Sequence, residues 1–517
     1  MDRPLITPQM RAWADRSIAR IGHSIEHPIH GSPRRRVAVV HLDGVPRTVL
    51  EHAIWTDRMP FLSRLVKSGA FNVDTAFWGS PASTPCFQAG LLYGLRHPNL
   101  PAYHWYDREL GQVIRMNVPK HALSIEQRME RMGHDSLLEG GGTAYLSLFR
   151  AEASNELSMP SAAHLKRLLP ALLSQLRGLR AVKRQHVLSY IHRLLEETFS
   201  ASVDLLRWTG HIRDHRHEFE FLLNRLFITH LAWGLAENRA LIDMVRGVPA
   251  IYLVFGNFDE VAHRRGPFSK QARRELLRAD AAIEELYVMG RSVEDPYDLV
   301  LLTDHGHVDS APFERRSGRK LEDWLFDDAP AKISERIARG LLDGRTPLEP
   351  APSNEEPVVI EAGNFSHVYL SRGKTPLDGR DILARHERVL ARAATSPDLG
   401  IVALRRGDCG VALIGGGVYG PDELDSAPLA SGFSRRALAD QLRELPYMPT
   451  AGDLVIYGQA LNGTGTVGFA WEFGSHGGLT RVETESMVMW PAESPLDLRG
   501  LSHSTQLHEK LSEVYRH

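Results

Sequence analysis

A chain of 517 residues exceeds what one ordinary core holds, so two domains or one large α/β domain with insertions are expected. Hydrophobic residues make up 43% and charged residues 24%, the balance of a soluble globular enzyme. A formal net charge of −2 argues against the basic surface of a polyanion binder, so no nucleic-acid polymer is expected as a partner. Two cysteines, Cys86 and Cys409, are too few for a disulfide framework or a cysteine-based zinc site.

Residues 1–36 read as an N-terminal arm with charges throughout. No signal-peptide core and no membrane-spanning run is found, and a cytoplasmic location is expected. The β-branched run VAVVHLDG then marks a buried strand ending at Asp43, followed by a helix in MPFLSRLVKSGA closed by Gly69 and a strand in FNVDTAFW. Residues 37–160 are taken as the first part of a catalytic core. From 161 to 248, Leu and Ile recur at helical spacing with Arg, Lys and His between them, which predicts a helical insertion. Its basic faces are the part of the chain suited to a membrane surface or a partner. The core resumes over 249–517, with a cap-like stretch around 315–450. Strands are expected in AIYLVFGNFD, YDLVLLTDHGH, EPVVIEAG, SHVYLS, GVALIGG, DLVIYG and SMVMWP, and a helix in SKQARRELLRADAAIEELYVMG. Strands alternating with helices predict a three-layer α/β sandwich around a mostly parallel sheet.

Three apolar runs end alike: VAVVHL at Asp43, IYLVFGNF at Asp259, and LVLLT at Asp304 with His305 beside it. A single Asp after a strand is most often a turn former. Three of them meet at one rim, because ligands of an open α/β sheet bind outside the carboxyl ends of its strands. Asp259 and His263 are four apart, on one face of a helical turn, and His476 sits between glycines in EFGSHGGL. Carboxylate oxygen with neutral imidazole suits two divalent ions, zinc first and manganese second.

Within GSPASTPCFQAG, Ser83 or Thr84 caps a helix with Pro85 in its first turn. A hydroxyl there faces the positive end of the helix, and coordination to a divalent metal would activate it. Cys86 is read as a packed small hydrophobe. HIRDHRHEFE spaces His211 and His215 helically with His217 nearby, but without a carboxylate. Arg264, beside His263, is placed either on substrate phosphate or in solvent.

The Asp after the first strand, the Thr at a helix start, the D-x-x-x-H pair, the D-H-G triplet and the late G-x-H-G resemble the alkaline phosphatase superfamily. The nearest branch is the type I phosphodiesterase/nucleotide pyrophosphatase family, over about residues 37–110, 249–310 and 452–490. The resemblance implies that Asp43, Thr84, Asp304 and His305 hold one metal, and Asp259, His263 and His476 the other. It further implies attack by Thr84 on phosphorus, a phosphothreonine intermediate, and an in-line displacement between metals about 4 Å apart. The substrate expected is a small phosphate ester. A phosphodiesterase of the family places an Asn some twenty residues after the Thr. Here LPAYHWYDRE offers Tyr103 or His104 instead. His307, after the triplet, is read as a surface residue, with a place behind the ligands or against substrate as the alternatives. Other readings are a phosphomonoesterase or phosphonate hydrolase on the same core, or a non-catalytic protein binding a partner or membrane through the insertion.

Overall fold

The computed structural model describes residues 4–22, 35–96, 99–133, 135–160, 232–350, 355–461 and 465–515, with six further positions between 195 and 206. The insertion read over 161–248, with His211, His215 and His217, lies mostly outside them. Its described end is a helix, Trp233–Arg246.

The run that predicted the first strand forms β1 (Arg36–Leu42), buried at every position. It lies between β7 (Ala250–Phe255) and β8 (Tyr297–Thr303), parallel to both. Seven strands follow the order β2 (Phe71–Ala76), β18 (Ser486–Pro491), β8, β1, β7, β5 (Thr143–Ser147), β6 (Asn155–Ser158). The exception to parallel pairing is β18, antiparallel to both β2 and β8. The glycine-rich GGGTAYLSLF thus supplies a core strand.

Alternate residues of β1 serve opposite faces, as the pleat requires. Ala38, Val40 and Leu42 pack with α2 (Arg47–Trp55), α3 (Pro60–Lys67) and α8 (Lys270–Gly290). Val37 and Val39 pack with α4 (Thr84–Tyr93), α5 (Pro119–Glu130) and α12 (Ser504–Tyr515). Each fully buried aliphatic side chain contributes about 1.5–3 kcal/mol. The numbering also counts α1 (Pro8–Gly22), α6 (Trp233–Arg246) and α7 (Asn257–Arg265).

The later apolar runs do form strands, but most leave the parallel sheet. A second, antiparallel sheet runs β10 (Val358–Ala362), β11 (Phe365–Tyr369), β15 (Leu454–Gly458), β12 (Leu399–Arg406), β13 (Cys409–Ile414), β14 (Gly417–Tyr419). Its faces are covered by α9 (Gly379–Thr395) and α10 (Arg435–Glu444), through Ile382 and Leu390 on one side and Leu438 and Leu442 on the other. A hairpin of β3 (His104–Asp107) and β4 (Gln112–Arg115) and a small sheet of β16 (Gly465–Gly468), β9 (Val308–Pro312) and β17 (Gly474–Ser475) complete the strands described. The short α11 (Arg481–Thr484) precedes β18. Among the described residues, no helix is long and apolar enough to cross a membrane.

Candidate metal centre

Asp43 leaves β1 with its N–H donating to Phe255 O at 3.2 Å, one rung beyond the β1–β7 ladder. Asp304 and His305 leave β8 next door, and α7 begins just after β7 with Asp259 in its first turn and His263 in its last. The fourth approach is made by β17. Ser475 pairs with Val308 of β9, which lays His476 against the chain leaving the triplet. The rings of His305 and His476 stack at 3.9 Å. Residues far apart in sequence thus meet at the carboxyl rim of the sheet.

Two glycines make room for this. Gly44 has φ 69°, and a Cβ there would lie 2.6 Å from Asp259 Oδ1 and 2.9 Å from the His307 ring. A Cβ on Gly306 would fall 2.0 Å from Val482 O, so the triplet's turn can pass this close to α11 only with glycine.

Thr84 opens α4 behind the N-cap Ser83, with Pro85 in the first turn. Its Oγ1 donates to Asp43 Oδ1 at 3.2 Å and stands 3.2 Å from His305 Nε2. Cys86, two residues on, gives its thiol to Leu100 O, and burial pushes that thiol up to about 12, so it stays protonated. Of Ser83, Thr84 and Cys86, Thr84 is the one with both a carboxylate and an imidazole at hand.

Three donor sets have atoms that all lie within 4.8 Å of one another: Asp259, His263, His307 and His476; His41, Asp43 and Asp304; and Asp43, Asp259 and His305. Every residue expected as a ligand is in this cluster or, like Thr84, in contact with it. The partition differs from expectation, because Asp43 belongs to two sets and His41 and His307 join. The surface reading of His307 is corrected. It is fully buried, with Nε2 2.6 Å from Asp259 Oδ1, since the Gly306 turn and β9 carry it inward. His41 was passed over inside its strand. It follows β1's alternation onto the α4 side, where it packs edge-on against Phe87. Its Nδ1 is 2.7 Å from Tyr252 Oη, and its Nε2 is 3.0 Å from Asp304 Oδ1. Glu472, also unforeseen because it lies on a loop without periodicity, stands 3.0 Å from His263 Nδ1.

The electrostatics call for a cation. Burial, with Asp304 and Asp259 adding to it, pushes the Asp43 carboxyl well above the usual range. Burial also works against ionised Asp259, but the charge of His263 and the hydrogen bond from His307 hold it well below. Burial drives His307 down to about 4 and His476 well below the ordinary imidazole value, keeping both rings neutral, the form that ligates metal. Asp304 Oδ2 is buried without a hydrogen-bond partner among the described residues. Unpartnered buried carboxylate oxygen, crowded acids and neutral imidazoles fit divalent ions.

Tyr103 borders the cluster; its phenol is pushed up by burial and by Asp259 and Asp43. His104 and Arg264 stand further out around Glu472. His104 is driven down to about 4, by burial and then Arg115, while Glu472 opposes the shift. Arg264 Nη1 donates to Trp471 O at 3.4 Å.

No curated protein matches the chain. Among solved structures, murine ectonucleotide pyrophosphatase/phosphodiesterase 5 in complex with AMP is 11% identical, covering 93% of this chain and 95% of its own at a TM-score of 0.47. Phosphonoacetate hydrolase from Sinorhizobium meliloti 1021 in complex with phosphonoformate is 16% identical, with 93% and 96% covered and a TM-score of 0.44. The sequence profile named "Type I phosphodiesterase / nucleotide pyrophosphatase" matches residues 37–371, well over half of the chain. The chain therefore belongs to the type I phosphodiesterase/nucleotide pyrophosphatase family and is a phosphoric ester hydrolase.

Proposed function

We propose that this hydrolase cleaves phosphodiesters or nucleotide-type pyrophosphates, with Thr84 as its nucleophile. The observation that carries the reading is the position of Thr84 Oγ1, 3.2 Å from both Asp43 Oδ1 and His305 Nε2 at the start of α4. Asp43, Asp304 and His305, with His41 alongside, are the residues to hold one cation. Asp259, His263 and His476, with His307, are those to hold the other. Zinc suits this oxygen and nitrogen donor set best, with manganese second. When bound, the cations supply Lewis-acid stabilisation and lower the pKa of an attacking hydroxyl.

The chain's own part is orientation. Asp43 accepts the Thr84 hydrogen bond and so aims its oxygen into the rim. The Thr84 hydroxyl gives up its proton and its oxygen bonds phosphorus as the ester oxygen departs with its electron pair and takes up a proton, giving phosphothreonine; a water oxygen then bonds phosphorus, the bond to Thr84 breaks, and a proton from that water restores the hydroxyl. The N-terminal N–H groups of α4 favour the anionic group transferred. Tyr103, whose phenol feels Asp259 and Asp43, is the residue to donate to a phosphoryl oxygen, the task an Asn performs in the family pattern.

The test pairs metal quantitation with turnover of bis-p-nitrophenyl and mono-p-nitrophenyl phosphate. Two equivalents of metal and faster diester cleavage are expected. A faster monoester rate would move the assignment to a phosphomonoesterase on the same core. Less than one metal per chain would sink the two-metal reading.

A further inference from the structure

A second feature at the same rim has no part in the proposed reaction. Beside the carboxyl end of β2 lies a cavity of about 400 Å³, lined by Arg47, Arg435, Arg436 and Arg481, with Phe77 and one acidic residue, Glu485. The strand order β2, β18, β8, β1 sets it two strand spacings, about 10 Å, from β8, which carries Asp304 and His305, and three, about 14 Å, from β1. Between them stands α11, whose Glu483 O accepts the Gly306 N–H at 3.0 Å.

The charges here are unequally matched. Arg47 is committed, with Nη1 2.6 Å from Glu51 and Nη2 2.8 Å from Glu485. Arg435 donates from Nε to Leu424 O at 3.1 Å and reaches Asp425 only at 3.9 Å. Arg436 lies over the Phe77 ring at 4.4 Å, which fixes the guanidinium plane at the pocket wall. Among the described residues, neither Arg436 nor Arg481 forms an ion pair with a carboxylate. The ten-residue helix α10 starts at Arg435 behind its N-cap Ser434, which also lines the cavity, adding the positive end of a helix to the cluster. Arg435, Arg436 and Arg481 reach this cavity from the exposed surface, and Arg436 also acts on Asp440 one turn along α10; like charges held this close repel one another. Four gathered around one cavity, with one carboxylate in its lining, leave an excess of positive charge for a ligand to meet.

The geometry points to a second anion-binding site, separate from the metal centre, that takes a phosphate group of a small molecule. Guanidinium forks match phosphate oxygens two at a time, and the cavity admits a group larger than a single ion. The phosphate comes either from the distal part of a substrate or from a free anion. The chemistry of capture is the same for both.

The test is calorimetric titration of the metal-loaded protein with inorganic phosphate, in the wild type and in an Arg436→Ala/Arg481→Ala double variant. Two classes of phosphate site are expected in the wild type. The double variant should lose one class or weaken it at least about tenfold, as expected when two charge-assisted contacts are removed. The other class, and the rate on bis-p-nitrophenyl phosphate, should stay unchanged. An Arg436→Lys/Arg481→Lys variant, which keeps the charge but loses the fork, should bind at intermediate strength and guards against a misfolded alanine variant. A tenfold rise in KM confined to substrates with a second phosphate would identify the substrate as the source. Unchanged KM for all substrates, with the phosphate class lost, would identify a free anion. Phosphate binding identical in wild type and both variants would overturn the site.

Discussion

Glu472 Oε2 lies 3.0 Å from His263 Nδ1, while Nε2 of the same ring faces Asp259 Oδ2 at 3.5 Å. The two carboxylates work against burial to raise the imidazole to about 10, so a cation at Nε2 would bind with release of that proton, and His263 in turn keeps Glu472 below the usual carboxylate value. A carboxylate on the far nitrogen fixes ring orientation and tautomer, so that Nε2 is presented to a cation beside Asp259. Glu472→Ala should weaken the affinity for one cation by about 10- to 100-fold, with Glu472→Gln in between because an acceptor remains. Competition with a graded chelator, read as metal per chain, measures this. Equal occupancy in all three proteins would count against an orienting role.

Thr84→Ala removes the oxygen that would bond phosphorus but no imidazole and no carboxylate. Turnover should fall by about 10³-fold or more while metal content stays near the wild-type value, the pattern of a group lost from the reacting atoms. Thr84→Ser keeps the hydroxyl and should keep a measurable rate. Acid quenching during turnover should trap label from a phosphorus-labelled substrate on the wild type and on Thr84→Ser, and none on Thr84→Ala. Label on the alanine variant would place the nucleophile elsewhere.

Much of this centre is legible in the sequence because Asp43 and Asp304 directly follow buried strands and Asp259 lies in the helical turn that follows a third. A parallel sheet turns such endings into neighbours, so Asp43, Asp259 and Asp304 follow from pattern alone. Thr84 is legible through Pro85, which marks the first turn of a helix. His41 was not, because inside VAVVHL it sits where a buried strand residue belongs, and only the neighbouring strands supply Tyr252 and Asp304. His307 and Glu472 follow glycine turns and loops, whose direction no periodicity encodes. For the fold, the apolar runs after residue 350 announced strands but not partners. Antiparallel pairing of β11 with β15, some ninety residues apart, is a tertiary choice, and the same texture serves either sheet.

His41 connects strand packing to the centre, since Nδ1 meets Tyr252 Oη at 2.7 Å and Nε2 approaches Asp304 Oδ1 at 3.0 Å. His41→Ala empties a packed position beside Phe87 and leaves the Tyr252 hydroxyl without that partner in a site that excludes water. A stability loss of about 1 kcal/mol is expected from the lost hydrogen bond alone, since Gln88 remains beside the same hydroxyl. Metal held by Asp43 and Asp304 should also bind more weakly. Urea unfolding of the metal-loaded and chelator-treated forms separates the two effects: the packing cost appears in both, the ligation cost only in the first. A variant matching wild type in both forms would remove His41 from the centre.

Acid stability should turn on His367, a fully buried residue of β11 outside the metal cluster. Its Nδ1 accepts the Gly452 N–H at 3.0 Å, and its Nε2 faces Pro101 O at 3.3 Å, which fixes a neutral ring protonated on Nε2. Burial drives the imidazole from an ordinary 6.5 down to about 3. The unfolded chain therefore binds a proton below pH 6.5 that the folded chain refuses until about pH 3. More protons on the unfolded side mean that stability falls as pH falls. His367 thus contributes fully above pH 6.5, and its contribution shrinks by about 1.4 kcal/mol per pH unit below it. His367→Asn keeps a polar side chain near the Nδ1 position and cannot titrate. Its unfolding free energy, measured from urea midpoints between pH 7.5 and about 5, should show a shallower acid slope than wild type by that amount. Parallel slopes in the two proteins would mean that the ring is protonated in place, against the hydrogen bond it accepts from Gly452.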